Sequence, residues 1–140
     1  MDFSEFCEVL AHWCQLRPAI PLDCWIEEAN ARLASVEGGV RCSIDVLDPY
    51  DGSDAQQVSA LLSQGGASIA CACDGALGID PDTQCVVLLS WLPNPCSPAD
   101  LLNCLESLAN QRAAMLSLLQ ASRRGTVAGR TTMNTWQPGV

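Results

Sequence analysis

Residues 85–111 read CVVLLSWLPNPCSPADLLNCLESLANQ, and this stretch decides the fold. Residues 85–92 are an apolar run of strand length, typical of a β-strand that is buried on both faces or on one face and a partner. Ser97 then supplies a helix N-cap, Pro98 the first helical position and Asp100 the third. Apolar residues recur on one helical face as far as residue 119, so the stretch predicts a strand followed by a long amphipathic helix.

Two further helices are predicted before this stretch. Residues 3–14 carry apolar side chains at helical spacing, and Asp2 with Glu5 gives a capping-box pattern at their start. Asp54 is a suitable cap for a shorter second helix. The glycine pair at residues 65–66 is expected to end that helix, since glycine is the usual residue beyond a helix C-terminus.

Strands are predicted on both sides of the second helix. A short helix over residues 23–33 and a strand over residues 31–36 remain alternatives for the same segment. The glycine pair at residues 38–39 predicts a hairpin turn, and alternating apolar and polar residues predict a strand over residues 40–47. Residues 67–73 alternate as well, and they predict a strand of small residues.

These elements together predict an α+β fold with one antiparallel β-sheet flanked by helices, in the order α-β-β-(β)-α-β-β-α. Residues 1–120 are expected to form a single domain, large enough to bury a core without a disulfide or metal. Residues 121–140 contain three Arg and no acidic residue. We expect them to form a mobile, basic C-terminal tail.

Composition excludes several classes of function. The 140-residue chain has seven Arg, no Lys and 16 acidic residues, for a formal net charge of −9, which argues against nucleic acid or an anionic membrane as the main partner. Without Lys there is neither a Schiff base nor a P-loop lysine. His12 is the only histidine, which excludes metal sites built from several histidines. Neither a secretory signal nor a membrane-spanning run is recognisable, so a cytoplasmic protein is expected.

The nine cysteines are the most unusual feature of the composition. An odd number cannot be fully paired within one chain, and in a reducing cytoplasm free thiols behave as small buried hydrophobic groups. We therefore interpret them as structural. The alternative is a thiol-dependent metal or redox site that uses Cys71, Cys73 and Cys85, but the first two form a C-x-C pattern without a second pair at zinc spacing.

The second half of the chain resembles a known family. The residues that carry the resemblance are Leu61-Leu62, residues 76–89 (ALGIDPDTQCVVLL), Leu92-Pro93 and residues 100–111 (DLLNCLESLANQ). In this order they are similar to the class I chaperones of bacterial type III secretion, the Tir-chaperone family of small acidic effector chaperones. The resemblance covers residues 1 to about 120 and is best from residue 54 onward.

This resemblance implies a non-enzymatic, cytoplasmic homodimer without a cofactor. Such chaperones bind the extended N-terminal segment of a secreted effector and keep it competent for secretion, and some of them contact the secretion ATPase. The family's dimer interface corresponds to the short central helix and the strand after it, which implies a set of four residues here. The set is Val58, Leu61, Leu62 and Ile69.

Two strands supply candidate effector-binding residues. Alternation in the strand over residues 85–92 places Val87, Leu89 and Trp91 on one face, and the opposite face then packs on the helices. The apolar face of the strand over residues 40–47 adds Val40, Cys42 and Ile44. The alternative is that both faces are core. Trp13 and Trp25 are expected to be core residues as well, with a role as groove aromatics as the alternative.

Two other functions compete with that of an effector chaperone. One is an adaptor or sorting subunit of the secretion machinery that contacts its ATPase. The other is the thiol-dependent metal or redox protein described above. The sequence contains none of the common catalytic or phosphate-binding motifs, so no catalytic residue is assigned.

Overall fold

The structure is a computed structural model that describes residues 2–16, 20–70 and 75–136; for Gly52, Leu62 and residues 64–70 and 121–136 the description covers the backbone only. The elements are α1 (Phe3–Leu16), β1 (Leu22–Ile26), β2 (Ala29–Val36), β3 (Gly39–Leu47), α2 (Pro49–Gly52), α3 (Ala55–Ala70), β4 (Ala76–Ile79), β5 (Val86–Pro93) and α4 (Pro98–Trp136).

The five strands form one antiparallel sheet in the order β1-β2-β3-β5-β4. This confirms the predicted α+β fold. β5 is inserted between β3 and β4, so the apolar run that opens residues 85–111 lies inside the sheet. β1 and β4 are the two edge strands, and an ion pair between Arg32 and Asp23 joins β1 to β2 with Nε and Oδ1 2.8 Å apart.

The core lies between one face of the sheet and the helices. β3 contributes every second residue to it, as its alternating sequence predicts, and α4 lies across β3 and β5. α1 packs against α4 and completes the layer. The largest fully buried side chains are Leu10, Leu33, Val40, Cys42, Ile44, Leu61, Val87, Leu88, Leu101, Leu105, Leu108 and Met115.

Local signals place the starts of α1 and α4 correctly. The Glu5 backbone N–H donates to the Asp2 carboxylate at 2.8 Å, and the Asp2 backbone N–H donates back to Glu5 at 3.3 Å. At α4, the Asp100 backbone N–H donates to Ser97 Oγ at 3.1 Å, and the Ser97 N–H donates to the Asp100 carboxylate at 2.9 Å. Both are reciprocal capping boxes, which satisfy N–H groups that a helix start leaves unpaired.

The segment over residues 22–36 is a hairpin. The helical alternative for residues 23–33 is wrong, and the strand alternative is correct but too short, since β2 begins at Ala29 and β1 precedes it. Glu27 and Glu28 form the two-residue turn, with φ values of 49° and 68°. A glycine or asparagine is usual at such positions, and its absence hides the turn in the sequence.

The helix predicted to start after Asp54 is α3, and it is longer than predicted. The backbone of α3 continues through the glycine pair at residues 65–66 to Ala70, so the predicted strand over residues 67–73 is wrong for residues 67–70. Cys71 and Cys73 lie outside the described residues. α4 likewise continues past residue 120 to Trp136. The division into a domain over residues 1–120 and a tail over residues 121–140 stays a prediction.

Candidate partner-binding surface

Large apolar side chains are exposed at several places on this small domain. Among the described residues, the exposed ones are Phe3, Val9, Leu16, Ile20, Trp25, Tyr50, Ile79, Trp91 and Leu118. Single exposed apolar residues are common, so the informative feature is which of them share a concave surface. Two of them, Phe3 and Trp25, do so.

The groove around Trp25 is formed where α1, the β1–β2 turn and α4 meet. It encloses a volume of about 450 Å³. Its apolar lining is Phe3, Phe6, Trp25, Ile26, Leu102, Leu105 and Ala109, and its polar lining is Asp2, Glu27, Glu106 and Asn110. The groove therefore has an apolar floor and three carboxylates among its polar residues. We call it the Trp25 groove.

Trp25 is exposed because side chains alternate along β1, and it lies on the same face as the exposed Asp23. Its neighbour Ile26 packs against the core, while the Trp25 side chain is 75% exposed. The prediction that Trp25 is a core residue is therefore wrong. The corresponding prediction is confirmed for Trp13, which is 5% exposed and whose Nε1 donates to the carbonyl of Ile20 at 3.3 Å.

A second, acidic cavity lies on the other side of Trp25. Its volume is about 350 Å³. Its lining includes Trp25, Glu28, Asp45, Asp48, Asp51, Cys85 and Arg112. The one cation in this lining is engaged, since Arg112 Nε donates to the backbone carbonyl of Asp45 at 2.7 Å. Carboxylates are therefore present in the lining on both sides of Trp25.

Asp45 is a partly buried carboxylate in the lining of this cavity. Burial raises the pKa of the Asp45 carboxyl, and the charge of Asp80 adds to the effect. A hydrogen bond from the Cys85 thiol and the charges of Arg32 and Arg112 oppose the shift without cancelling it. A positive charge placed here would favour the ionised carboxylate, so the cavity suits a basic side chain.

Three of the predicted effector-binding residues are enclosed in the core. Val40 and Cys42 are 0% exposed and Ile44 is 1% exposed. These side chains are therefore not available to a partner of the folded domain. The reason is that α4 covers the apolar face of this strand, which the alternating pattern alone does not distinguish from a face open to a partner.

The remaining predicted residues lie on β5, on the other face of the sheet. Val87 is also enclosed, at 1% exposure, whereas Leu89 is half-buried and Trp91 is 53% exposed. Trp91 lies over the β2–β3 turn, where a Cβ added at Gly39 would approach its Nε1 to 2.9 Å. Only Leu89 and Trp91 of the six predicted residues are therefore accessible in this domain.

The predicted dimer residues lie on α3. Leu61 is 1% exposed and belongs to the domain's own core, while Val58 is half-buried. The side chains of Leu62 and Ile69 lie outside the described residues. The dimer interface stays a prediction.

In the part of the chain that the structure describes, no group of three His, Cys, Asp or Glu side chains could hold a metal ion. Within the same ranges, none of the helices combines the length and hydropathy needed to cross a bilayer.

Comparison with known proteins supports the fold. No family model and no curated sequence matches the chain. A chain of the ExsC–ExsE complex matches with a TM-score of 0.57 and 15% identity, covering 85% of this chain and 97% of its own. A chain of the heterodimeric ExoU–SpcU complex from the type III secretion system of Pseudomonas aeruginosa matches with a TM-score of 0.54 and 20% identity, covering 80% and 95%.

A third similar structure is the HopA1–SchA chaperone–effector complex. One of its chains matches with a TM-score of 0.51 and 15% identity, covering 82% of this chain and 97% of its own. The fold is that of type III secretion chaperones. Since all three chains are matched over nearly their full length, the similarity extends across the whole secretion-chaperone fold rather than one motif.

Proposed function

We propose that this chain is a non-enzymatic chaperone that binds the extended N-terminal segment of type III secreted effector proteins, keeps them competent for secretion and delivers them to the apparatus. The observation that carries the proposal is the Trp25 groove, an exposed apolar surface with an acidic rim on a secretion-chaperone fold. The HopA1–SchA structure is itself a chaperone–effector complex, which supports the same role.

An extended segment fits this groove better than a folded partner. The groove includes the last two residues of β1, Trp25 and Ile26, and β1 pairs with β2 on one side only, so its outer backbone groups can hydrogen-bond an added strand. Apolar side chains of the segment would then pack on Phe6, Trp25 and Leu102. A disordered segment loses chain entropy on binding, and burial of its apolar residues against this floor offsets that loss.

Charge favours a segment that is basic as well as apolar. The chain carries a formal net charge of −9, and carboxylates line the groove and the adjacent cavity. Complementary charge accelerates encounter and disfavours partners of the wrong sign. We therefore infer that the bound segment alternates apolar residues with Lys or Arg.

Two finer features belong to the same proposal. The chain acts as a homodimer that associates through α3, with Val58, Leu62 and Ile69 at the interface, so that one effector segment contacts two chaperone chains. The protein works in the bacterial cytoplasm, and contact with the secretion ATPase follows effector binding. Leu61, which was predicted with them, is left out of this proposed interface because it is already buried in its own domain.

Co-expression tests the proposal directly. The chain is produced with tagged N-terminal segments of the secreted proteins of its own bacterium, and complexes are isolated and their masses measured by light scattering. We expect one segment to copurify with two chaperone chains. If every such segment leaves the chain unbound, the chaperone function is wrong; a complex with one chaperone chain would instead contradict the homodimer alone.

A further inference from the structure

Four of the described cysteines form two interacting pairs. Cys42 on β3 is fully enclosed, and its thiol shares a hydrogen bond with the thiol of Cys104 on α4. Cys96 lies in the connection between β5 and α4, and its backbone carbonyl accepts a hydrogen bond from the thiol of Cys14 at 3.4 Å. The proposed chaperone function uses none of these groups.

One member of the contacting pair is reachable from outside. Cys104 and Cys96 line a cavity of about 580 Å³ between β5 and α4. The lining also contains Ser90, Asp100, Asn103 and Ser107, so the cavity is polar enough to admit small polar molecules. Cys42 lies behind Cys104 in the core and does not line the cavity.

We propose that Cys42 and Cys104 form an oxidisable dithiol, which a hydroperoxide entering this cavity converts into a disulfide between β3 and α4. The thiolate of Cys104 first attacks the peroxide oxygen, which breaks the O–O bond and gives the Cys104 sulfenic acid with release of hydroxide or alkoxide. The Cys42 sulfur then attacks the sulfenic sulfur. The S–O bond breaks, the Cys42 proton leaves with the hydroxyl group as water, and the S–S bond forms.

The positions of the two thiols assign their order in this reaction. The pKa of the Cys42 thiol is raised by its hydrogen bond to Cys104 and by its burial. Cys42 is therefore a poor first nucleophile. Cys104 is half-buried and faces the cavity, which makes it the group that peroxide reaches first. The contact between the two sulfurs makes Cys42 the thiol that resolves the sulfenic acid.

The disulfide would join two elements that already pack together, since α4 lies against β3 in the reduced protein. A covalent link between residues distant in sequence restricts the unfolded chain, so the oxidised protein should unfold at a higher temperature than the reduced one.

The test uses the full chain, reduced and then exposed to hydrogen peroxide. Remaining thiols are alkylated, the protein is digested without reductant, and peptides are mapped by mass spectrometry. We expect a peptide pair joined through Cys42 and Cys104, its loss on adding reductant, and a raised melting temperature in the oxidised protein. This measurement on the natural sequence needs no variant and therefore does not depend on whether one folds.

Two variants sharpen the assignment. Cys104→Ser should abolish the cross-linked pair, whereas Cys24→Ser, which removes another half-buried thiol from the sheet, should leave it intact. The proposal is overturned if Cys42 and Cys104 are recovered as separate alkylated peptides. It is equally overturned if peroxide joins either of them to a different cysteine or oxidises Cys104 only to sulfinic and sulfonic acids.

Discussion

Gln111 on α4 holds the chain at the start of β4. Among the described residues it is the one polar side chain that is buried, at 6% exposure. Its Oε1 accepts a hydrogen bond from the Gly75 backbone N–H at 3.0 Å, and its Nε2 donates to the Gly75 carbonyl at 3.2 Å. The amide thus satisfies both backbone groups of Gly75, a buried residue that lies just before β4.

Replacing the Gln111 amide should lower the free energy of unfolding even when the volume of the side chain is kept. Gln111→Leu keeps the volume but leaves the Gly75 N–H and carbonyl without partners, and each such buried group costs about 1–3 kcal/mol. We expect the free energy of unfolding, measured in urea, to fall by at least ~2 kcal/mol. Asn110→Ala, at the exposed neighbouring position, is the control and should change it by less than ~0.5 kcal/mol. Equal midpoints for the two variants would contradict the role of Gln111.

Asp45 should make stability depend on pH. Its raised pKa means that the folded state holds this proton more tightly than the unfolded chain, so ionisation lowers stability as pH rises from the ordinary value of 3.8 through the raised one. Asp45→Asn removes this loss and retains an acceptor for the Cys85 thiol. We expect the variant to be more stable than the natural protein at pH 7.

The expected difference has a defined pH window. In urea unfolding series at several pH values, the advantage of Asp45→Asn should shrink as the pH falls through the raised pKa and vanish below 3.8, where the natural carboxyl is protonated in both states. Asp82→Asn removes one negative charge from an exposed turn and controls for net charge. An advantage that grows on acidification would show that burial of the Asp45 carboxylate is not the cause.

At the scale of single elements, the structural features that depend on a few neighbouring residues were predicted correctly. The capping boxes at Asp2 and Ser97 and the glycine turn at Gly38 each depend on neighbouring residues alone. Gly38 has a φ of 81°, a left-handed backbone conformation that glycine adopts readily in turns. Such features follow from the sequence because their physical cause is local.

Elements that depend on tertiary packing were not predicted. α3 continues through the glycine pair at residues 65–66, although glycine costs about 1 kcal/mol relative to alanine within a helix. β1 carries a helix-compatible pattern as well as a strand-compatible one, and only its pairing with β2 decides between them. The Glu27–Glu28 turn could not be recognised in the sequence because neither residue favours a positive φ.

The β1–β2 turn offers a direct test of this backbone strain. Glu27→Asn combined with Glu28→Gly supplies the residues that this turn conformation prefers, and we expect the free energy of unfolding to rise by ~1 kcal/mol. Glu37→Gly is the matched control, because Glu37 does not have a positive φ and should lose stability from the added chain freedom. Thermal unfolding of the three proteins measures both effects. A less stable Asn-Gly variant would contradict the strain.

At the scale of the whole molecule, the acidic balance and the fold class followed from the sequence, but the Trp25 groove did not. Its residues come from α1, the end of β1 and the middle of α4, which are adjacent only after folding. Nothing in the local pattern distinguishes Trp25, which is exposed, from Trp13, which is buried. The sequence pattern therefore favours a partner surface on the central strands, although the apolar face of β3 forms part of the core.

The measurement that tests the account most directly is a calorimetric titration of the full chain with an effector N-terminal segment that copurifies with it. Trp25→Ala is compared with Tyr50→Ala, since both aromatic side chains are exposed and only Trp25 lines the groove. A central aromatic contact contributes ~2 kcal/mol or more, so we expect Trp25→Ala to weaken binding at least about thirtyfold and Tyr50→Ala to leave it unchanged. Equal affinities for the two variants would contradict the Trp25 groove as the effector-binding site.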